Sequence, residues 1–353
     1  MKIILYVGLP KTATTFYQTN LFPYLDKNKF IYNPYSLMNK LNYFLKLKEN
    51  KDINTHNLDE FQRELKELSE NNPSKTLLIV NEHLGYSGFN PKPKEGSELT
   101  KLLFTNARII ISFRYQTDWI LSSYRHYMDI GGTKNISSFL NFKDNAFLSN
   151  CEEEKYDKFG NMIRSFDIKK LDWTFYLKSF YLLYDKKNIN IMFFENFVDD
   201  KPGYSKELLN IIGIENTNLN INYDFIKNRG RSAFTCLLTE KKSKLLIFLN
   251  IKARSIPLFN EKLKNIRMNY NTNTKSFFKS FCYYSSIFIV IIKYAPWQFF
   301  MTRLDNIYYF DWDILKQSKL RLKLNEFFQI INKDFVKLLS EENIKVPIKY
   351  FKL

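Results

Sequence analysis

Short apolar runs alternate with segments of helical spacing along most of this chain. The run KIILYVG (2–8) reads as a buried strand, and a helix is expected over 14–26. KFIYNPY (29–35) is a candidate second strand. LDEFQRELKELSEN (58–71) sets Leu58, Phe61, Leu65 and Leu68 three or four residues apart, an amphipathic helix closed by Asn71-Asn72-Pro73. KTLLIVNEH (75–83) and ARIIISFR (107–114) are β-favouring runs ending in polar residues, the second followed by a helix from about Asp118 to Met128. A helix over 171–185, a strand INIMFFE (189–195) and a helix over 203–212 continue the alternation. A last helix is expected in 320–344, with Leu324, Phe327, Phe328, Ile331, Phe335 and Leu338 on its apolar side. This order predicts an α/β fold, a mostly parallel central sheet with helices on both faces. No internal repeat is visible.

Composition removes several classes. A chain of 353 residues that is 45% hydrophobic, with 33 Phe, 23 Tyr and 4 Trp, is rich enough in large apolar side chains to exclude a disordered protein. The formal charge of +17 points to an anionic partner: nucleotide, nucleic acid, acidic polymer or membrane surface. Cys151, Cys236 and Cys282 are odd in number and far apart, which fits no disulfide framework or zinc spacing and suits a reducing compartment. Heavy use of Lys, Asn and Ile is that of AT-rich bacterial coding. No signal peptide is expected, since Met1-Lys2 leads directly into the first strand. The longest uncharged apolar stretch, SFCYYSSIFIVII (280–292), is 13 residues. A spanning helix needs about 20. A cytoplasmic protein is expected, with a possible place at the inner face of the membrane.

Chemistry in parallel sheets gathers at the carboxyl ends of strands, and three polar clusters fall there: Lys11–Thr15, Glu82-His83 and Arg114. In GLPKTATT (8–15) a strand turns into a helix through a loop with one lysine and three threonines. Unpaired N–H groups at a helix start favour an anion, to which Lys11 adds charge and Thr12, Thr14 and Thr15 add hydroxyl donors. The lysine is out of register with a Walker loop, which ends G-K-[ST] after a second glycine. Ordinary helix capping is the alternative. After IIISF, Arg114 supplies a planar fork suited to phosphate and Ser122, eight residues on, a further donor; pairing of Arg114 with Asp118 is the plainer reading.

Pro10-Lys11-Thr12-Ala13-Thr14-Thr15-Phe16 resembles the 5′-phosphosulfate loop, P-K-[ST]-G-T-T plus an aromatic, of sulfotransferases that use 3′-phosphoadenosine 5′-phosphosulfate (PAPS). Ala13 stands where the family usually has glycine, an exchange that is sterically easy if the φ there is negative. Arg114 and Ser122, with Tyr124 near, resemble the family's 3′-phosphate site. FIKNRGRSAFT (225–235) resembles its late basic loop, through Arg229, Gly230 and Arg231, and 189–214 resembles its last core strand, turn and helix, with Glu195 read as a structural turn acceptor. The resemblance covers residues 3–235. It implies a P-loop NTPase-like sulfotransferase core over 1–235, with a mostly helical basic and aromatic region over 236–353. It also implies PAPS as donor, PAP (the desulfated product) as leaving species and no metal. Lys11 then faces the bridging oxygen, and the base lies at Glu82-His83. The family offers T-H-L-P in some members and S-E in others at that place. His83 is preferred, Glu82 kept, while His56 (polar loop) and His126 (helix) are less suitably placed.

Beyond Glu240 the chain is strongly basic to Lys279, then aromatic and aliphatic over 281–301. A peripheral membrane element and a helical cap whose apolar face is core are both open. The leading expectation is sulfuryl transfer to a hydroxyl of a cell-surface glycan or glycolipid, with no nucleic acid partner. A P-loop-type kinase and a basic protein for anionic surfaces are the alternatives.

Overall fold

The computed structural model describes residues 1–47, 55–87, 90–130, 132–149, 155–156, 162–214, 221–224, 232–248, 285, 297–307, 314 and 319–351. Five of the apolar runs pair into one sheet: β1 (Lys2–Tyr6), β2 (Phe30–Tyr32), β3 (Thr76–Val80), β4 (Ala107–Phe113) and β5 (Ile189–Phe193). Their order is β5-β4-β1-β3-β2, and every pairing is parallel. Register is set by side-chain alternation. Ile4, Tyr6, Leu78, Val80 and Ile110 face one core cluster, and their neighbours in sequence face the other side.

The helices follow from the handedness of parallel crossovers. Between β1 and β2 lies α1 (Thr14–Asn20); α2 (Tyr35–Leu47) and α3 (Thr55–Asn71) lead to β3; α4 (Pro93–Leu103) leads to β4; α5 (Gln116–Asp129) and α6 (Trp173–Tyr181) precede β5. After β5 come α7 (Phe194–Asp199) and α8 (Lys201–Ile212). The chain leaves β1 toward β2 but leaves β2, β3 and β4 in the opposite direction, so right-handed crossovers assign α1 to one face and α2 to α6 to the other. Packing agrees: Phe16 and Tyr17 of α1 share the first cluster with Tyr204, Leu208, Leu209 and Ile212 of α8. On the reverse face, the ring of Phe113 meets Trp173 and Tyr176 of α6 at 5.7 Å each. Phe335 of the last helix, α11 (Lys319–Glu341), reaches the same ring at 5.0 Å.

By internal contacts the chain divides into two units. The first holds Met1–Ile120, Lys169–Arg229 and Leu322–Leu353, and so contains the whole sheet. The second holds Leu121–Ile168 and Gly230–Arg321. Within it, rings of Tyr124, Tyr127, Phe139 and Phe166 pack around one another, and α9 (Ala233–Phe248) meets α10 (Trp297–Ile307), Thr235 Oγ1 donating to Asp305 Oδ2 at 2.8 Å. No helix among the described residues is long and apolar enough to cross a membrane.

Element ends differ from the sequence expectation for identifiable reasons. α1 stops at Asn20 rather than 26, because Pro23 lacks the N–H that a continuing helix needs; a 3-10 turn over Phe22–Tyr24 takes over. The third strand ends at Val80, and Glu82-His83 fall in a 3-10 turn capped by Asn81. α3 begins at Thr55, so His56 lies in its first turn and not in a loop.

Candidate functional site at the ends of β1, β3 and β4

Adjacent strands β1 and β4 send their connections in opposite directions, which opens a crevice at their carboxyl ends. The loop after β1 starts along β4: Val7 N–H donates to Ile110 O at 3.0 Å and Leu9 N–H to Ser112 O at 3.2 Å. It then curls. Lys11 has φ 69° and Ala13 φ 66°, both left-handed, on either side of Thr12. Turns of this kind gather backbone N–H groups into an anion-binding concavity. The alanine therefore does not take the negative φ that would make it equivalent to an ordinary residue; it occupies glycine's conformation with a methyl attached. A left-handed non-glycine residue costs roughly 1–2 kcal/mol, against about 0.4–1 kcal/mol of extra unfolded-state freedom for glycine. Ala13→Gly is accordingly expected to stabilise the protein slightly, by about 0.5–1 kcal/mol, seen as a small rise in the melting temperature.

The three threonines have different surroundings. Thr12 is fully buried and its hydroxyl donates to Leu9 O at 2.5 Å, so it braces the loop from inside. Thr14, at the first position of α1, donates to Glu82 Oε2 at 3.1 Å. Thr15 is half-buried on the same turn. Pro10 and Lys11 are half-buried as well.

Arg114 stands one residue past β4. Its Nη1 donates to Lys11 O at 2.9 Å, and its guanidinium lies 4.4 Å from the centre of the Phe194 ring. Two tryptophans that the sequence reading passed over hold this junction. Trp119 Nε1 donates to Pro10 O at 2.8 Å, and Trp173 Nε1 donates to Arg114 O at 3.0 Å. A signal existed in the sequence. Trp119, in the first turn of a helix that starts at a strand end, is a large buried body whose one donor must find an acceptor nearby.

Glu82 and His83 share one turn with different exposure. Asn81 Oδ1 accepts from His83 N–H at 2.9 Å and fixes the turn; Glu82 is half-buried against Thr14, whereas His83 is exposed. Helix α4 comes unusually close here, since a Cβ on Gly96 would lie 2.3 Å from Leu84 O. Only glycine lets the helix backbone touch the turn that carries Glu82. Ser122 is half-buried on α5, among the residues of the second unit. Arg229, Gly230 and Arg231 lie outside the described residues, as do Cys151, Cys282 and most of 249–296.

The turn-acceptor reading of Glu195 matches its geometry: it is buried and its Oε1 accepts from Tyr115 N–H at 2.8 Å. Burial pushes this carboxyl above the usual carboxylate range; the Tyr115 amide and then Arg114 pull it back in part, and Asp118 adds to the rise. A carboxyl with a raised folded pKa contributes stability that is full below its unfolded pKa and is lost as pH rises through the folded value. Glu195→Gln keeps the acceptor for Tyr115. It should flatten the decline in stability above pH 4.5, which denaturant melts at a series of pH values would register. A cavity of about 890 Å³ beside this residue is lined by Arg114, Phe194, Glu195, Glu207, Lys345 and Lys349, among others.

No family model matches the chain, and no curated protein does. Solved structures that resemble it include the following two. Both are sulfotransferases. One, from Alicyclobacillus acidocaldarius, aligns over 71% of this chain and 96% of its own, at 13% identity and a TM-score of 0.42. The other, mouse SULT7A1 complexed with PAP, aligns over 92% of this chain and 89% of its own, at 12% identity and a TM-score of 0.34.

Proposed function

We propose that this protein is a PAPS-dependent sulfotransferase acting on an acceptor hydroxyl, with a cell-surface glycan or glycolipid as the acceptor class. The observation that carries the reading is the 2.9 Å hydrogen bond from Arg114 to Lys11 O. It unites two elements that the sequence separates by a hundred residues and that each have phosphate chemistry. A donor with phosphate groups at both the 5′ and the 3′ position needs such a pair, a curled loop with a lysine for one and an arginine fork for the other.

The chemistry asked of these residues is modest. The acceptor oxygen attacks sulfur, the bond from sulfur to the bridging oxygen of the 5′-phosphate breaks, and PAP leaves with the electron pair. The acceptor proton passes to a carboxylate. Negative charge grows on the leaving oxygen, where the ammonium of Lys11 stabilises it. Glu82 is the better base of the two candidates, because its carboxylate is tied to the first turn of α1 through Thr14 while His83 is exposed. The charge of +17 favours an acidic acceptor.

Thermal melts with PAP, and separately with ATP and magnesium, test the reading. A ligand at a hundred times its dissociation constant adds about 2.7 kcal/mol. Stabilisation by PAP that is lost in Arg114→Ala is the expected result. A magnesium-dependent response to ATP with none to PAP would put a kinase in its place.

A further inference from the structure

Four consecutive residues after Arg114 are bonded to the far end of the chain. Tyr115 OH donates to Asn325 Oδ1 at 3.2 Å, and Thr117 Oγ1 donates to the same oxygen at 2.9 Å. Between them Gln116 forms a two-way amide pair with Asn332: Gln116 Nε2 donates to Asn332 Oδ1 at 2.6 Å, and Asn332 Nδ2 returns a bond to Gln116 Oε1 at 3.1 Å. Both residues are fully buried, and Gln116 Nε2 also reaches Leu171 O at 3.3 Å. Asp118 pairs with Lys349 at 3.1 Å. The Tyr350 ring packs 5.6 Å from Tyr115 and 5.4 Å from Phe193.

We infer that α11 and the segment after it are the buttress that holds Arg114 in position for the 3′-phosphate, with Asn332 as the positioning residue. Apolar contacts such as Phe113 with Phe335 are enough to dock the helix. They are non-directional and leave the loop free to slide. A buried amide pair bonded in both directions has one geometry, because any shift leaves donors and acceptors unsatisfied away from water. An arginine fork reads a phosphate only when its two N–H groups are aligned, so rigidity two residues away translates into ligand choice.

This inference rests on the PAPS reading, and the experiment separates the two. The probes are PAP and 5′-AMP, which differ by the 3′-phosphate, titrated into the full-length protein by calorimetry. The wild-type protein should prefer PAP by about 10–100-fold, the value of charge-assisted bonds to one phosphate. Asn332→Leu should bring that ratio close to one, as Arg114→Ala should too, with the 5′-AMP affinity within about twofold of wild type. The exchange Gln116→Asn with Asn332→Gln rebuilds an amide pair and should restore much of the preference. Should Asn332→Leu not fold, Asn325→Ala, at a half-buried site, carries the same expectation in weaker form. A variant that folds, loses the pair and keeps the full preference for PAP overturns the buttress alone. A wild-type protein with no preference overturns the donor reading and the buttress with it.

Discussion

For the sulfotransferase proposed above, replacing Lys11 by alanine is expected to lower kcat for sulfuryl transfer by about 10²–10³-fold, the usual consequence of removing one group aimed at developing charge. The lysine belongs to a loop whose backbone is held at three points. Thr12 bonds Leu9 O inside it, Trp119 bonds Pro10 O, and Arg114 bonds Lys11 O. Removing the side chain leaves these backbone bonds in place, so the fold and much of the nucleotide affinity should survive. The loss should therefore fall on kcat more than on KM, since the leaving oxygen carries most of its charge only in the transition state. Single-turnover assays with PAPS, beside PAP affinities, would separate the two. A Lys11→Ala enzyme with unchanged kcat would remove this lysine from the chemistry.

The second large effect concerns the base. Glu82→Gln is expected to reduce turnover by roughly 10²–10⁴-fold, the range of a positioned general base. Glutamine can still accept from Thr14, so the turn should remain intact and the loss should reflect proton transfer alone. His83→Asn should change turnover by no more than about threefold, since an exposed side chain beside the site contributes little positioning. The reverse outcome, a severe loss in His83→Asn with near-normal Glu82→Gln, would return the role to the histidine. Measuring both variants at saturating PAPS, with the acceptor varied, distinguishes them.

Lys11 and Arg114 could be picked out from the sequence because each follows a largely apolar strand, and in a parallel sheet such residues emerge at one end. Their mutual contact could not, although the same logic brought both to the carboxyl edge. Glu82 and His83 were both visible as polar residues ending a strand. The 3-10 turn capped by Asn81, which directs the Glu82 side chain at Thr14 and leaves His83 exposed, was not legible in the sequence. Ala13 looked like a mild departure from glycine. Its left-handed φ, imposed by the curl between Lys11 and α1, makes it a point of strain.

Alternation of apolar runs with helical spacing determined the α/β class, the parallel sheet and the residue types suited to phosphate, because those depend on local periodicity and chain order. Tertiary structure alone decided which threonine braces the loop, which of two neighbouring residues meets α1, and that Asn332 meets Gln116 across 216 positions. The physical reason is range. A period of two or 3.6 residues is written in neighbouring side chains, whereas a hydrogen bond across two hundred residues exists only once packing has brought its donor and acceptor together.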